Sequence, residues 1–401
     1  MQSKSISQNR TSLVIFLATL GVAITSLIPI VFPALLLRLF GGMEDHANIN
    51  PFELGVWAYP FLLTNAAVFT FAFLYIKKQL PQIILKPIHL FVNFEITSNQ
   101  AVILLAILLG AFVAFNAGDT FNDYYDADFI DHTKAYLENF SFTNFNSIYV
   151  QSSLQKLSMV LFGSYKVLSF VSSIALLLIT YLLTRQITKK RFPGIISVTV
   201  LLYSGVFLHY DDSAAYPNFW ILFFLVSLYV VLRAEFLSPI FYVLGILSKS
   251  LVAVFLPMSL FFIYRSNIAK KKKILITISY GVIVIIALLG LFVLKDRPEE
   301  YDIAEFSVHD FWSGFSAFSA SIQHDSIILL FLIPVLVGLY VVSNKVLHAD
   351  SFMFLILGVL LSAPIMAAVS NIINTPYRFI PVIVFFAIGI GMLFSKQNDS
   401  A

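Results

Sequence analysis

The chain contains no cysteine. Disulfides, thiol catalysis and thiolate-bound metals are excluded, while the compartment is left open. Charge is the second scarcity. Only 12% of the 401 residues are charged, against about 25% in a soluble globular protein. No internal repeat, low-complexity tail or appended soluble domain is visible either. Apolar residues take up the space: 59% of the chain is hydrophobic, 41 residues are Phe, and the mean hydropathy is +0.88. This composition belongs to an all-α polytopic membrane protein forming a single membrane domain over 1–401.

About 20 apolar residues span the hydrocarbon of a bilayer. That length predicts membrane segments near 12–39, 57–76, 100–116, 162–184, 193–209, 218–232, 274–294, 326–343, 352–370 and 378–395. The first follows a weakly basic start (Lys4, Arg10), is too long for a signal-peptide core and has no small-x-small cleavage site, so a retained helix is expected. Residues 79–99 are apolar but carry Pro81 and Pro87, which predicts an interfacial segment instead of a span. The run 237–264 holds Lys249 at its centre. A lysine at the bilayer midplane is costly, whereas a hairpin of two short helices places it at the tip.

Charge bias supports the hairpin. It makes about twelve transmembrane helices, with both termini cytoplasmic. The inner segments then hold Lys4, Arg10, Lys77, Lys78, Lys86, Arg185, Lys189, Lys190, Arg191, Arg233, Arg265, Lys270 to Lys273, Lys345 and Lys396, which is 17 of the 25 basic residues. The outer side receives 18 of the 22 acids. A single helix over 237–264 would instead put Arg265 and Lys270–Lys273 outside, against the positive-inside rule. Two outer segments, 117–161 and 295–325, exceed a simple connector. The first contains short amphipathic pieces such as FIDHTKAYLENF, suited to the membrane surface.

The densest chemistry is NAGDTFNDYYDADFIDHTK (116–134), with five aspartates just beyond a membrane helix. Asp119 follows Gly118, which lets the chain turn, and a carboxylate there can accept a proton from a hydroxyl. Asp123 lies four residues on, where a helix would bring it to the same face. The two can act as a paired carboxylate or hold a divalent cation. Asp126, Asp128 and Asp131 read as a solvated loop. Asp211 and Asp212 (FLHYDDSAAYPNFW) occupy a short outer loop and can meet Asp119 across a cavity. Lys249 and Arg378 place positive charge on the acidic side, where it suits an anionic lipid phosphate. His209, His309 and His324 read as interfacial or packed residues. The basic clusters are explained by topology, and nucleic acid is not an expected partner.

The order of these features resembles a known family. A helix ends in Gly-Asp, and an outer loop leads to LFGSYKVLSFVSSIALLLITYLLTR. A later outer loop carries Asp, in FLHYDDSAAYPNFW. Then come FYVLGILSKSLVAVFLP, with Gly245 and Lys249, and PYRFIPVIVFFAIGI, with Tyr377 and Arg378. Together they resemble the GT-C superfamily of integral-membrane glycosyltransferases, in particular the polyprenyl- or dolichyl-phosphate-sugar-dependent protein-mannosyltransferase-like and aminoarabinose-transferase-like enzymes. The similarity runs from about 100 to 395, a GT-C-like core preceded over 1–99 by two helices and the interfacial segment. There are departures: Asp119-Thr120 stands where the family has Asp-Glu, a Pro-Pro before LFG is absent, and Tyr377 and Arg378 are in reversed order.

The resemblance implies transfer of a sugar from a polyprenyl-phosphate donor to an acceptor hydroxyl on the outer face. Asp119 would be the catalytic base, with Asp123 next in line. Asp211 or Asp212, Lys249, Tyr377 and Arg378 would bind substrate. The acceptor would be a protein, lipid or glycan, with no nucleotide sugar and no obligatory cofactor. A polymerase or ligase of lipid-linked glycans is a weaker match, because its outer loops would be arginine-rich. A lipid or sugar transporter or flippase would show matched broken helices in two halves, and only 237–264 is broken. The absence of cysteine makes the topology testable. An impermeant maleimide should label Asp310→Cys in intact cells and Lys271→Cys only after permeabilisation. The reverse pattern would turn the assignment over.

Overall fold

The structure, a computed structural model, describes residues 2–40, 50–122, 129–143, 145–293, 306–369 and 376–395. Every regular element among them is helical. The chain begins with α1 (Gln2–Val31), α2 (Leu35–Phe40), α3 (Ala58–Ile76), α4 (Gln82–Asn93) and α5 (Ser98–Asn116). A 3-10 turn (Ala117–Phe121) and a π turn (Phe129–Thr133) lead to α6 (Lys134–Asn139) and α7 (Tyr149–Phe162). Next come α8 (Val167–Thr188), α9 (Phe192–Leu202), α10 (Gly205–His209), α11 (Phe219–Val231) and α12 (Ser238–Ser248). A 3-10 segment (Ser250–Phe255) joins α12 to α13 (Leu256–Arg265), followed by α14 (Lys270–Val293) and α15 (Val308–Ile322). The chain closes with α16 (Ser326–Val342), α17 (Ala349–Val369), a 3-10 segment (Pro376–Phe379) and α18 (Ile380–Leu393).

Local chemistry sets several boundaries. The Thr97 hydroxyl and the Gln100 side chain cap each other's backbone N–H groups and start α5. Gly163 takes φ +74° and ends α7, its N–H donating to Met159 O at 2.9 Å. Ser204 accepts from Phe207 N and starts α10, which breaks the predicted run 193–209.

Among the described residues six helices are long and apolar enough to cross a membrane: Arg10–Val31, Ala58–Ile76, Ser98–Phe121, Val167–Thr188, Ala349–Val369 and Pro376–Leu393. α15 and α16 meet at 116° and make a seventh span if taken together. These helices mark a membrane-embedded all-α protein. α9 and α11 are apolar but shorter than the spans expected there, and 237–264 holds two short apolar helices, as the hairpin reading expects. The break at 237–264 falls at Lys249, between α12 and the 3-10 segment. α4 buries none of its residues. In the first long loop, FIDHTKAYLENF folds as the π turn and α6.

The chain divides into two compact units, Met1–Glu95 with Glu299–Ala401, and Ile96–Pro298. In this division the described residues 306–369 and 376–395 group with the N-terminal helices. In the first unit α1 packs on α15, α16 and α17, and α17 packs on α18. Phe16 stacks on Tyr340, and Thr19 donates to Met353 O at 3.2 Å. In the second unit α8 packs on α9 and α11, α11 on α12, and α12 on α7 and α14. The Ser238 and Tyr280 hydroxyls meet at 2.6 Å inside this unit.

Small residues allow the closest approaches, as expected where apolar helices gain little by simply contacting one another. A Cβ on Gly194 would lie 2.6 Å from the Tyr181 ring and 3.0 Å from its carbonyl oxygen. Gly194→Ala should therefore force α9 off α8 and cost about 1–3 kcal/mol. A thermal melt in detergent should show the loss. Gly110→Ala, whose Cβ would meet nothing within 4 Å, should not melt earlier. Equal melting of both variants would contradict the packing argument.

Candidate functional site

α5 delivers its chain end to the 3-10 turn Ala117–Phe121, where Asn122 N donates to Asp119 O at 3.0 Å. The Asp119 side chain is exposed and that of Thr120 is buried. Facing the turn is Lys166, the residue before α8, which is only 1% exposed. Its ammonium donates to the backbone oxygens of Asp119 (3.0 Å) and Asn122 (3.2 Å). It also forms an ion pair of 2.9 Å with Asp212 Oδ2. Ser164 adds a third tie, donating to Thr120 O at 2.8 Å and accepting from Lys166 N at 3.2 Å.

Asp211 and Asp212 follow α10 in a buried loop. Ser173 of α8 donates to Asp211 O at 2.6 Å, and Asn218 Nδ2 donates to Ser173 Oγ at 2.8 Å. Gln155 of α7 donates to Ala214 O. Phe129, Leu137, Tyr165 and Ala214 form an apolar cluster that joins the first long loop to this one.

The two neighbouring aspartates have opposite surroundings. Asp212 holds the Lys166 ion pair. Asp211 is 4% exposed, and its Oδ2 has no hydrogen-bond partner among the described residues. Burial pushes the Asp211 carboxyl up to about 8, with further upward pressure from Asp212 and Asp119. The Asp212 backbone N–H and Lys166 offset part of this. Burial thus favours the protonated form of Asp211, the form able to donate a hydrogen bond.

Lys249 is half-buried in extended backbone where α12 ends, and its ammonium lies 5.4 Å from the centre of the Trp220 ring. Trp220 lies in the first turn of α11, just after the loop that carries Asp211 and Asp212, so Lys249 is at that same end of α11. Tyr242 donates to Val252 O at 2.9 Å across the break. Asp119, Asp211, Asp212 and Lys249 therefore all belong to the second unit.

Tyr377 and Arg378 belong to the first unit, in the 3-10 segment Pro376–Phe379. Arg378 Nε donates to Tyr377 Oη at 3.2 Å, with the guanidinium 5.7 Å from the Tyr377 ring centre. Its buried Nη1 has no hydrogen-bond partner among the described residues, an arrangement suited to an anionic ligand. Phe379 is held edge-on by Phe318, centroids 4.5 Å apart. Asp123 lies outside the described residues. Among the described residues no group of three His, Cys, Asp or Glu side chains is arranged to hold a metal.

Lys166 is the site residue that sequence reasoning passed over. A signal was available: it is a cation on the predicted acidic side at the start of an apolar helix, as Lys249 and Arg378 are cations against the same bias. Searches against family models, curated proteins and solved structures found no match.

The raised Asp211 pKa sets a sign for pH dependence. The folded state holds this proton more tightly than the unfolded chain, whose carboxyl has the ordinary value of 3.8. The penalty of ionising it is absent below pH 3.8 and grows until pH passes about 8. The Asp211 contribution should therefore lower stability as pH rises through that window. Asp211→Asn should flatten the melting temperature between pH 5 and about 8 relative to the parent. Identical pH profiles would show that Asp211 is not held neutral.

Proposed function

We propose that this protein is a membrane glycosyltransferase that moves a sugar from a polyprenyl-phosphate donor to an acceptor hydroxyl on the non-cytoplasmic side. The observation that carries the reading is the meeting of Asp119, Lys166, Asp211 and Asp212 at one end of the second unit, with Lys249 at that end of α11. The GT-C resemblance and the positive-inside topology support it, with about twelve spans when 237–264 is counted as two short helices and the shorter apolar helices cross the membrane.

In this mechanism Asp119 accepts the proton of the acceptor hydroxyl as its oxygen bonds to the sugar anomeric carbon. The bond from that carbon to the donor phosphate breaks, and its electron pair leaves with the polyprenyl phosphate. Negative charge grows on the leaving phosphate, so a cation fixed beside it binds the transition state more tightly than the ground state. Lys249 has this role, and Asp211 and Asp212 contact sugar or acceptor hydroxyls. An Asp119–Asp123 divalent-cation site is an addition to this scheme and is not required by it.

Membranes carrying the protein should transfer labelled sugar from polyprenyl-phosphate donors. Asp119→Asn should lower the rate by about 10²–10⁴-fold, the usual contribution of a general base. Retained activity in that variant, with Asp123→Asn inactive, would move the base. Solute flux in proteoliposomes without any sugar transfer would favour a transporter.

A further inference from the structure

We propose that Lys166 is a positioning residue: by holding the backbone of the turn that carries Asp119, it fixes where the Asp119 carboxylate stands. The purpose of that positioning rests on the transferase reading above, but the anchor itself can be tested without substrate.

The first argument is the distribution of its bonds. An ammonium has three donors, and neutralising Asp212 would use one. The acceptors here are Asp119 O, Asn122 O and Asp212 Oδ2, so two of the three lie on the turn. The second is the position of Lys166 in its own helix. It is the residue before α8, where the helix dipole disfavours a cation. Helix stability does not account for a lysine there, whereas carbonyl oxygens and a carboxylate do. The third is the shape of the turn. A Cβ on Gly118 would meet nothing within 4 Å, and Phe121 is 70% exposed. Thr120 is the buried side chain of the turn, and the turn rests on α5 and on α8, the helix that Lys166 precedes. The fourth is the stiffness of the anchor. More than half of α8 is buried, Lys166 O accepts from Phe170 N at 2.9 Å, and Lys166 N is held by Ser164. A group fixed at its base on a rigid helix can set the place of a looser one.

The absence of native cysteine allows a direct test in nanodiscs. Thr120 is 2% exposed and its hydroxyl has no hydrogen-bond partner among the described residues, so Thr120→Cys puts a thiol under the turn at little cost. Alone, that thiol should react slowly with a water-soluble maleimide. Adding Lys166→Met should speed labelling by about tenfold or more, equivalent to about 1.4 kcal/mol of lost protection. Lys166→Arg, which keeps charge and donors, should restore much of the protection and of the transfer rate. The decisive variant is Lys166→Met with Asp212→Asn, which removes both charges and keeps the test usable if Lys166→Met alone fails to fold. Positioning requires that this neutral pair still label fast. If it recovers slow labelling, Lys166 only balances Asp212 and the proposal is overturned. Slow labelling in every variant overturns it as well. The expected labelling pattern in a protein that transfers no sugar from any polyprenyl-phosphate donor would uphold the anchor and remove the transferase reading.

Discussion

Burying the Lys166 ammonium requires an acceptor for each N–H and a counter-charge close by. The turn after α5 meets the first demand with two backbone oxygens, and Asp212 meets the second. These contacts join three stretches far apart in sequence: residues 119–122, the start of α8, and the loop before α11. Removing one partner of such a pair costs about 3–5 kcal/mol because the other is left charged and dry. The arrangement of this end of the unit depends on that constraint, and Asp119 inherits its position from it.

The same constraint separates two adjacent residues of one type. Asp212 is turned to the ammonium, whereas Asp211 is buried with one carboxyl oxygen unpartnered. Burial makes Asp211 costly to ionise, and a second carboxylate beside it adds to the cost. The result is an exposed side chain at Asp119, an ion-paired one at Asp212 and a buried one at Asp211. Three aspartates thereby gain three different chemical characters, which a site that handles hydroxyl groups can use.

Helix breaks create the room for this cluster. Ser204 ends the run before α10, Lys249 interrupts 237–264, and Gly163 turns the chain between α7 and α8. Around these breaks polar side chains face inward: α7 buries Gln151, Ser152, Gln155 and Ser158 while Val160 and Leu161 are exposed. In a membrane this inversion is reasonable, because lipid solvates an outward apolar face and the polar groups find partners inside. Gln155 and Ser158 do so, donating to Ala214 O and to Ser164 O at 2.6 Å.

Composition and hydrophobic run length alone determined that this chain is helical and built for a membrane, since backbone groups in hydrocarbon leave few other solutions. They also marked Asp119 at a helix end, the Asp211–Asp212 loop and the break at Lys249, because charge next to apolar runs stands out in a linear pattern. The pattern did not reveal that 306–369 and 376–395 group with the N-terminal helices, nor that the expected spans at α9 and α11 are shorter helices. It also passed over Lys166, whose importance comes from carbonyls of residues 44 and 47 positions away. Which aspartate is paired and which is protonated was likewise decided by tertiary structure. Side-chain type fixes what a group can do, but its charge state depends on burial and on neighbours that only folding brings within 3 Å.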